Sequence, residues 1–133
     1  MIDDRIIGTW RLRSTKAVDD DGKTLAPPLG PTPNGVACFQ ADGRMYSIIC
    51  DGRNDLPTGE ERVFISYTGN YTFDGDTLST RVDAASDASR IGGDQVRKVR
   101  FEKNGGMVLA SPGRLFADVM QHQELFWARV AER

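Results

Sequence analysis

Arg97 is the residue in this chain best placed to do chemistry. It stands in the run Gln95–Lys103, where residue types alternate as they do along a β-strand. Alternation puts Gln95, Arg97, Val99 and Phe101 on one face, and Val96, Lys98, Arg100 and Glu102 on the other. The first set reads as inward. A guanidinium facing a protein interior must find an anion or several acceptors, because leaving it unpaired there costs several kcal/mol. One role is to hold a carboxylate, enolate or carbonyl oxygen of a ligand, assisted by Gln95. The competing role is a structural pair with an internal carboxylate or loop carbonyls, and no acidic residue falls clearly on an inward strand face. Tyr67 and Tyr71 share an inward face, with Ile65, Gly69 and Phe73. Both serve as wall residues with local partners, or Tyr67 donates a hydrogen bond or proton to a ligand. His122, the single histidine, has parity that points outward; if it reaches the interior it is an acid or base. Asp87 and Arg90 read as solvated loop charges, with a place over a bound ligand as the alternative.

The elements that position these residues are legible from the turns. Among 14 glycines, those in Ala41-Asp42-Gly43, Asp74-Gly75-Asp76 and Asn104-Gly105-Gly106 mark hairpins, since Asp-Gly and Asn-Gly tolerate positive φ. Runs rich in β-branched and aromatic residues flank each: Val36–Gln40 with Met45–Cys50, Val63–Phe73 with Thr77–Asp83, and Gln95–Lys103 with Met107–Ser111. With Gly8–Val18 first and Gln121–Val130 last, the sequence predicts eight strands. Polar connections at Asp19–Asn34, Asp51–Arg62, Ala84–Asp94 and Pro112–Met120 alternate with the tight turns. In an up-and-down meander that alternation places every tight hairpin at one end and every long loop at the other. Such a meander closes into a barrel, which removes both sheet edges and leaves an interior wide enough for one small ligand. A short helical turn at Asp3–Ile7 would cap the tight end.

This frame locates a pocket in the half nearest the long loops, lined by Gln95, Arg97, Tyr67, Thr80 and Val82. Ser111 joins them if the Asn104–Gly106 loop holds three residues. A two-residue Asp74-Gly75 turn sets Tyr71 opposite Leu78 and Tyr67 opposite Val82. The Ala41–Gly43 turn fits two or three residues, which leaves open whether Tyr46 or Ser47 faces in.

Composition excludes several classes. The chain has 133 residues, 39% hydrophobic and 27% charged, with a formal net charge of −2, which is one soluble globular domain spanning residues 1–133. The absence of a basic patch argues against nucleic acid. No apolar run is long enough to span a bilayer, and the acidic start Met1–Ile7 is no signal peptide, so a cytoplasmic location is expected. Cys38 and Cys50 read as two thiols rather than a disulfide scaffold. Two distant cysteines and one histidine do not make a zinc site, and no cofactor is expected. Asp19-Asp20-Asp21 lacks the spacing of a calcium loop. No phosphate-binding loop, dinucleotide glycine fingerprint or nucleophile elbow occurs.

Gly8-Thr9-Trp10 on the first strand, with Trp127-Ala128-Arg129 on the last, resembles the lipocalin signature. The resemblance implies that Trp10 plugs the closed end and Arg129 packs across it, a cation over an indole face. More closely, the chain resembles a compact lipocalin-like domain family of bacteria and fungi. The resemblance runs through Gly8-Thr9-Trp10-Arg11-Leu12, Pro28-Leu29-Gly30, Gly35, Asp42-Gly43-Arg44-Met45, Tyr67-Thr68-Gly69-Asn70-Tyr71, Gly75-Asp76, Gly92, Gln95, Arg97, Leu109 and Trp127-Ala128-Arg129. Two features depart from it: Thr80 stands where members often carry a histidine, and the small, polar Ala84–Arg90 replaces a proline–aromatic segment.

The resemblance implies a fold and a cavity but no agreed reaction. The function expected is binding of a small, mostly apolar organic ligand bearing a carboxylate, enolate or carbonyl oxygen. The alternative is a cofactor-independent isomerase, cyclase, dehydratase or decarboxylase. There, Arg97 and Tyr67 would stabilise an enolate while His122 or a mouth carboxylate moves the proton. A small molecule is the expected partner of a monomer or homodimer; a pure protein-interaction module finds less support.

Overall fold

The computed structural model describes residues 1–116 and 119–131. Its strands are β1 (Gly8–Val18), β2 (Pro33–Phe39), β3 (Arg44–Asp51), β4 (Phe64–Phe73), β5 (Thr77–Ala85), β6 (Asp94–Phe101), β7 (Met107–Ala110), β8 (Arg114–Phe116) and β9 (Val119–Ala131). Each of β1 to β6 pairs antiparallel with the next, β7 pairs with β9, and β9 pairs with β1. The result is an eight-stranded closed barrel. β8 is additional: it pairs with Val119, Met120 and Gln121 at the start of β9, so part of the last long connection forms a small ribbon. Three residues carry too little pattern for the sequence to show such a strand.

The hairpins meet at one end. Two are three-residue loops of one kind. Gln40 pairs with Arg44 around Ala41-Asp42-Gly43, and Glu102 with Gly106 around Lys103-Asn104-Gly105. In each loop the last residue is a glycine at positive φ, 92° for Gly43 and 88° for Gly105, where a side chain would be strained. The three-residue loop settles the question in β3: Ser47 is buried and Tyr46 is exposed.

The β4–β5 turn differs from expectation. Asp74 N donates to Thr77 O, so Gly75-Asp76 is the central pair. The Asp74 carboxylate, accepting from the amides of Asp76 and Thr77, favours that centre. The register moves by two, which places Tyr71 opposite Thr80 and Phe73 opposite Leu78. Beyond a bulge at Thr68/Gly69, Tyr67 faces Ala85 rather than Val82. A shift of two leaves every side chain on its face, and Gln95, Arg97, Val99 and Phe101 keep the more buried side of β6.

The N-terminal segment closes the tight end. A short 3₁₀ turn at Asp4–Ile6 is capped by the Asp3 carboxylate. Asp3 N donates to Phe73 O, and Phe73 N donates to Met1 O. Ile6, Trp10, Phe39, Tyr71, Phe73, Leu78 and Met107 form the packed core above it. The Trp10 indole donates to Ile6 O at 2.9 Å, and the Arg129 guanidinium lies 4.2 Å from the Trp10 ring centroid. Arg129 also donates to Ile7 O at 2.6 Å and Arg5 O at 2.5 Å, so the last strand ties down the first turn.

Candidate functional site

The opposite half of the barrel is hollow. A cavity of about 620 Å³ opens toward the long loops, within the range of small-molecule pockets. Its wall is largely apolar: Ala37, Phe39, Met45, Ile49, Ile65, Leu109 and Leu125 come from the strands. Part of its roof is Leu25-Ala26-Pro27-Pro28-Leu29, from the β1–β2 loop. The sequence marked that loop as a polar connection, yet Leu29 is buried. Prolines lack an N–H donor, so such a run crosses an apolar opening with few backbone groups to satisfy.

Strand pairing arranges the wall in tiers. Lys98 pairs with Ala110 and Ala110 with Glu124, so their inward neighbours Arg97, Ser111 and Gln123 share one tier. Ser111 N donates to Gln123 O at 2.9 Å. The tier below is Val99, Leu109 and Leu125, and the one below that is Phe101, Met107 and Trp127. Polarity is thus concentrated toward the mouth.

Of the residues expected to line the pocket, Arg97, Tyr67 and Ser111 do so. Gln95 stands behind them: its Oε1 accepts from Arg97 Nη2 at 2.7 Å and from Arg90 Nη1 at 3.3 Å. It positions two cations rather than facing a ligand. Thr80 and Val82 are inside the barrel but packed away from the cavity wall. The Thr80 hydroxyl is buried without a hydrogen-bond partner among the described residues. His122 is exposed, its Nε2 2.7 Å from Asp20 Oδ1 in the β1–β2 loop.

Arg90 is the residue that sequence reasoning set aside as a solvated loop charge. Its side chain is 17% exposed and it lines the cavity. Asp87 caps a 3₁₀ turn at Ala88–Arg90. Gly92 N then donates to Val82 O, and Val82 N to Gly93 O, pinning the loop back onto β5 with Arg90 turned inward. Asp87, the nearby carboxylate at 4.0 Å, is largely exposed. The signal available in the sequence was the cap at Asp87 followed by the Gly92-Gly93 return.

An inward acidic residue exists as well. Asp51, at the end of β3, is 3% exposed and follows the parity of Met45, Ser47 and Ile49. Its Asp-Gly pairing with Gly52 reads as the start of a loop, which hid it. Its carboxylate is bound by Arg53, with Nη2 at 2.6 Å. The Arg62 guanidinium donates to Asp51 O and Arg53 O. Gly30, at φ 73°, lies so close that a Cβ there would be 2.7 Å from Asp51 Oδ2. Arg53 holds the Asp51 carboxyl below the usual carboxylate range. The group is a knot joining two mouth loops.

Tyr67 has the opposite environment. Burial pushes its phenol up, and the charges of Arg97 and Arg90 pull it down less strongly. The phenol is therefore protonated at neutral pH and keeps its O–H. Among the described residues no cluster of histidine, cysteine and carboxylate side chains suits a metal ion, and no helix is long and apolar enough to cross a membrane.

A closed antiparallel meander, a tryptophan under an arginine at its sealed end and a cavity at the other are the features of a lipocalin barrel. A family model described as a lipocalin-like domain matches residues 7–130. The chain belongs to that family. Among curated proteins, none matches this lipocalin-like chain. Membership accounts for the barrel and its cavity; what this lipocalin-like protein binds must be argued from the lining.

Proposed function

We propose that this lipocalin-like barrel binds a small amphipathic molecule, its carboxylate, enolate or carbonyl oxygen at the mouth and its apolar body in the cavity. The observation that carries this is the convergence of Arg97 and Arg90 on the one oxygen of Gln95. That neutral amide oxygen orients both guanidiniums, and Arg97 Nη1 also donates to Val96 O at 2.8 Å. Asp87 offsets Arg90 weakly, being exposed to water. Two oriented cations beside apolar walls focus positive potential where a ligand's oxygen would lie. Tyr67, protonated and on the same wall, supplies a neutral donor to that oxygen. The hydrophobic lining supports binding of the remainder of the molecule at about 25 cal/mol per Å² of apolar surface buried.

Titration with decanoate, decanol and decylamine, followed by calorimetry, tests the reading. Decanoate should bind, decanol more weakly and decylamine least. Arg97→Met keeps approximate volume and removes the charge, and should weaken decanoate by more than tenfold, about 1.4 kcal/mol. Equal affinities for decanoate and decanol, or an Arg97→Met variant that binds decanoate unchanged, would sink it.

A further inference from the structure

Ser47 carries a hydroxyl that the proposed anion site does not use. It stands on the inward side of β3 with Met45, Ile49 and Asp51, is 5% exposed, and lines the cavity. Ser47, Tyr67 and Ser111 bring hydroxyls to the cavity wall. Ser111 Oγ donates to Gln123 O at 3.3 Å. The Tyr67 phenol, which feels the charges of Arg97 and Arg90, serves the anionic end of the ligand. Ser47 Oγ bonds to no described residue. Nor is it sealed in the packing, as the hydroxyls of Thr15 and Thr80 are. A polar atom neither bonded nor sealed is open, and the open space beside Ser47 is the cavity. Alanine would fill the position with no hydroxyl to desolvate. A serine hydroxyl donates and accepts, so a hydroxyl or carbonyl on a ligand completes it.

Register fixes its neighbours. Ser47 pairs with Ala37 on β2 and with Tyr67 on β4, so it lies beside the base of Tyr67, their Cβ atoms about 5 Å apart. Along β3, Met45 adjoins the closed-end hairpin and Asp51 ends the strand at the mouth, which puts Ser47 at middle depth. From β3 to β6 is three strand spacings, about 14 Å around the wall, and the long side chains of Tyr67 and Arg97 shorten that span. Polar groups therefore run along one wall, from Arg97 and Arg90 through Tyr67 to Ser47. Below the mouth, the strands across the barrel, β7 and β9, present Leu109, Leu125 and Trp127.

We infer that Ser47 is a specificity residue, its hydroxyl bonding to a second oxygen part-way along the ligand. The ligand class is then a hydroxy- or oxo-carboxylate, oxygenated between its anionic end and its apolar tail. This rests on the anion site at Arg97 and narrows what that site holds.

The experiment is calorimetry on the whole protein with decanoate and its 3-, 5- and 10-hydroxy derivatives. The 3- or the 5-hydroxy acid should bind about fivefold tighter than decanoate. The 10-hydroxy acid, its hydroxyl at the end of the apolar tail, should bind more weakly than decanoate. Ser47→Ala should abolish the preference, read as the ratio of the two affinities within that variant. Because the hydroxyl bonds to nothing in the fold, the melting temperature of Ser47→Ala should hold or rise. Inner hydroxy acids that bind no better than decanoate would mean that water keeps the hydroxyl, and would overturn the inference. A preference that survives Ser47→Ala would also overturn it. So would a marked loss of stability in that variant, which would put the partner of the hydroxyl inside the protein. Decanoate binding that depends on Arg97, with no hydroxy acid preferred, would leave the anion site standing alone. A preference that needs Ser47 but not Arg97 would uphold Ser47 and sink the anion site, and failure of every acid to bind overturns both.

Discussion

The two ends of the barrel use arginine in opposite ways. At the closed end Arg129 stacks on Trp10 and spends two of its donors on the carbonyls of Ile7 and Arg5. Those carbonyls are available because the first turn is short and irregular, and its backbone has acceptors to spare. At the mouth Arg97 and Arg90 share a side-chain amide oxygen. Arg97 also donates to the backbone carbonyl of Val96 at 2.8 Å, and both cations stand at the wall of an apolar cavity. At one end the side chain ties the first turn to the last strand; at the other it lines the cavity, where we propose that it binds.

The sharpest way to break this contrast is to remove each arginine in turn. Arg129→Ala deletes the stack and both carbonyl bonds, and should lower unfolding free energy by about 2–3 kcal/mol in a denaturant titration. Decanoate affinity should stay within about twofold, since the site lies at the far end. A large loss of affinity at unaltered stability would mean that the roles of the two ends are reversed. Arg97→Met should do the reverse: the melting temperature should hold or rise, because an apolar side chain replaces a partly desolvated charge, while binding falls. Collapse of the fold in that variant would make Arg97 structural.

A smaller effect separates the rim from the site it surrounds. Asp51 belongs to the mouth, yet it is fully engaged by Arg53. Its carboxyl is lowered from the usual 3.8 in the folded protein. The folded state thus favours the ionised form. That contribution is complete above the unfolded value, near 4, and is lost as the pH falls through the lower folded one. Asp51→Asn should be less stable than the parent at neutral pH and should show a shallower loss on acidification below about pH 4, read from melting temperature against pH. Parallel curves for the two proteins would remove Asp51 from the knot.

What could be read from the sequence follows the same division. The closed end was legible because its parts are periodic or local: Asp-Gly and Asn-Gly turns, alternation along β4 and β6, and the Gly8-Thr9-Trp10 start. Parity survived even where the turn centre moved, as at Gly75-Asp76, because the displacement was by two. The mouth was less legible, since its loops have no period. Arg90 and the Leu25–Leu29 roof are placed by capping and by return hydrogen bonds to β5 and β1. Such bonds have no signature at fixed spacing. Asp51 was hidden by its own neighbour, because Asp-Gly means a turn in one place and the end of a strand in another. Gln95 had the right face but the wrong partner, since facing alone does not show that an amide oxygen is already engaged.

The smallest expected effect belongs to His122, and it bears on whether the mouth does chemistry. Gln121 and Gln123, its neighbours on β9, both line the cavity, so alternation turns His122 outward. There its Nε2 meets the exposed Asp20 carboxylate at 2.7 Å. To bring the imidazole inside, β9 would have to slip by one residue. The same slip would carry Leu125 and Trp127 out of the barrel, and the buried Trp127 makes that arrangement untenable. His122→Ala should therefore change stability by no more than about 1 kcal/mol, the scale of an exposed pair, and leave decanoate affinity unchanged. If any turnover of an oxo-carboxylate is found, its rate should be equally indifferent to the substitution. A variant that binds normally but loses rate would show the imidazole acting on the ligand, and would put an acid–base group at a mouth that we propose holds an anion.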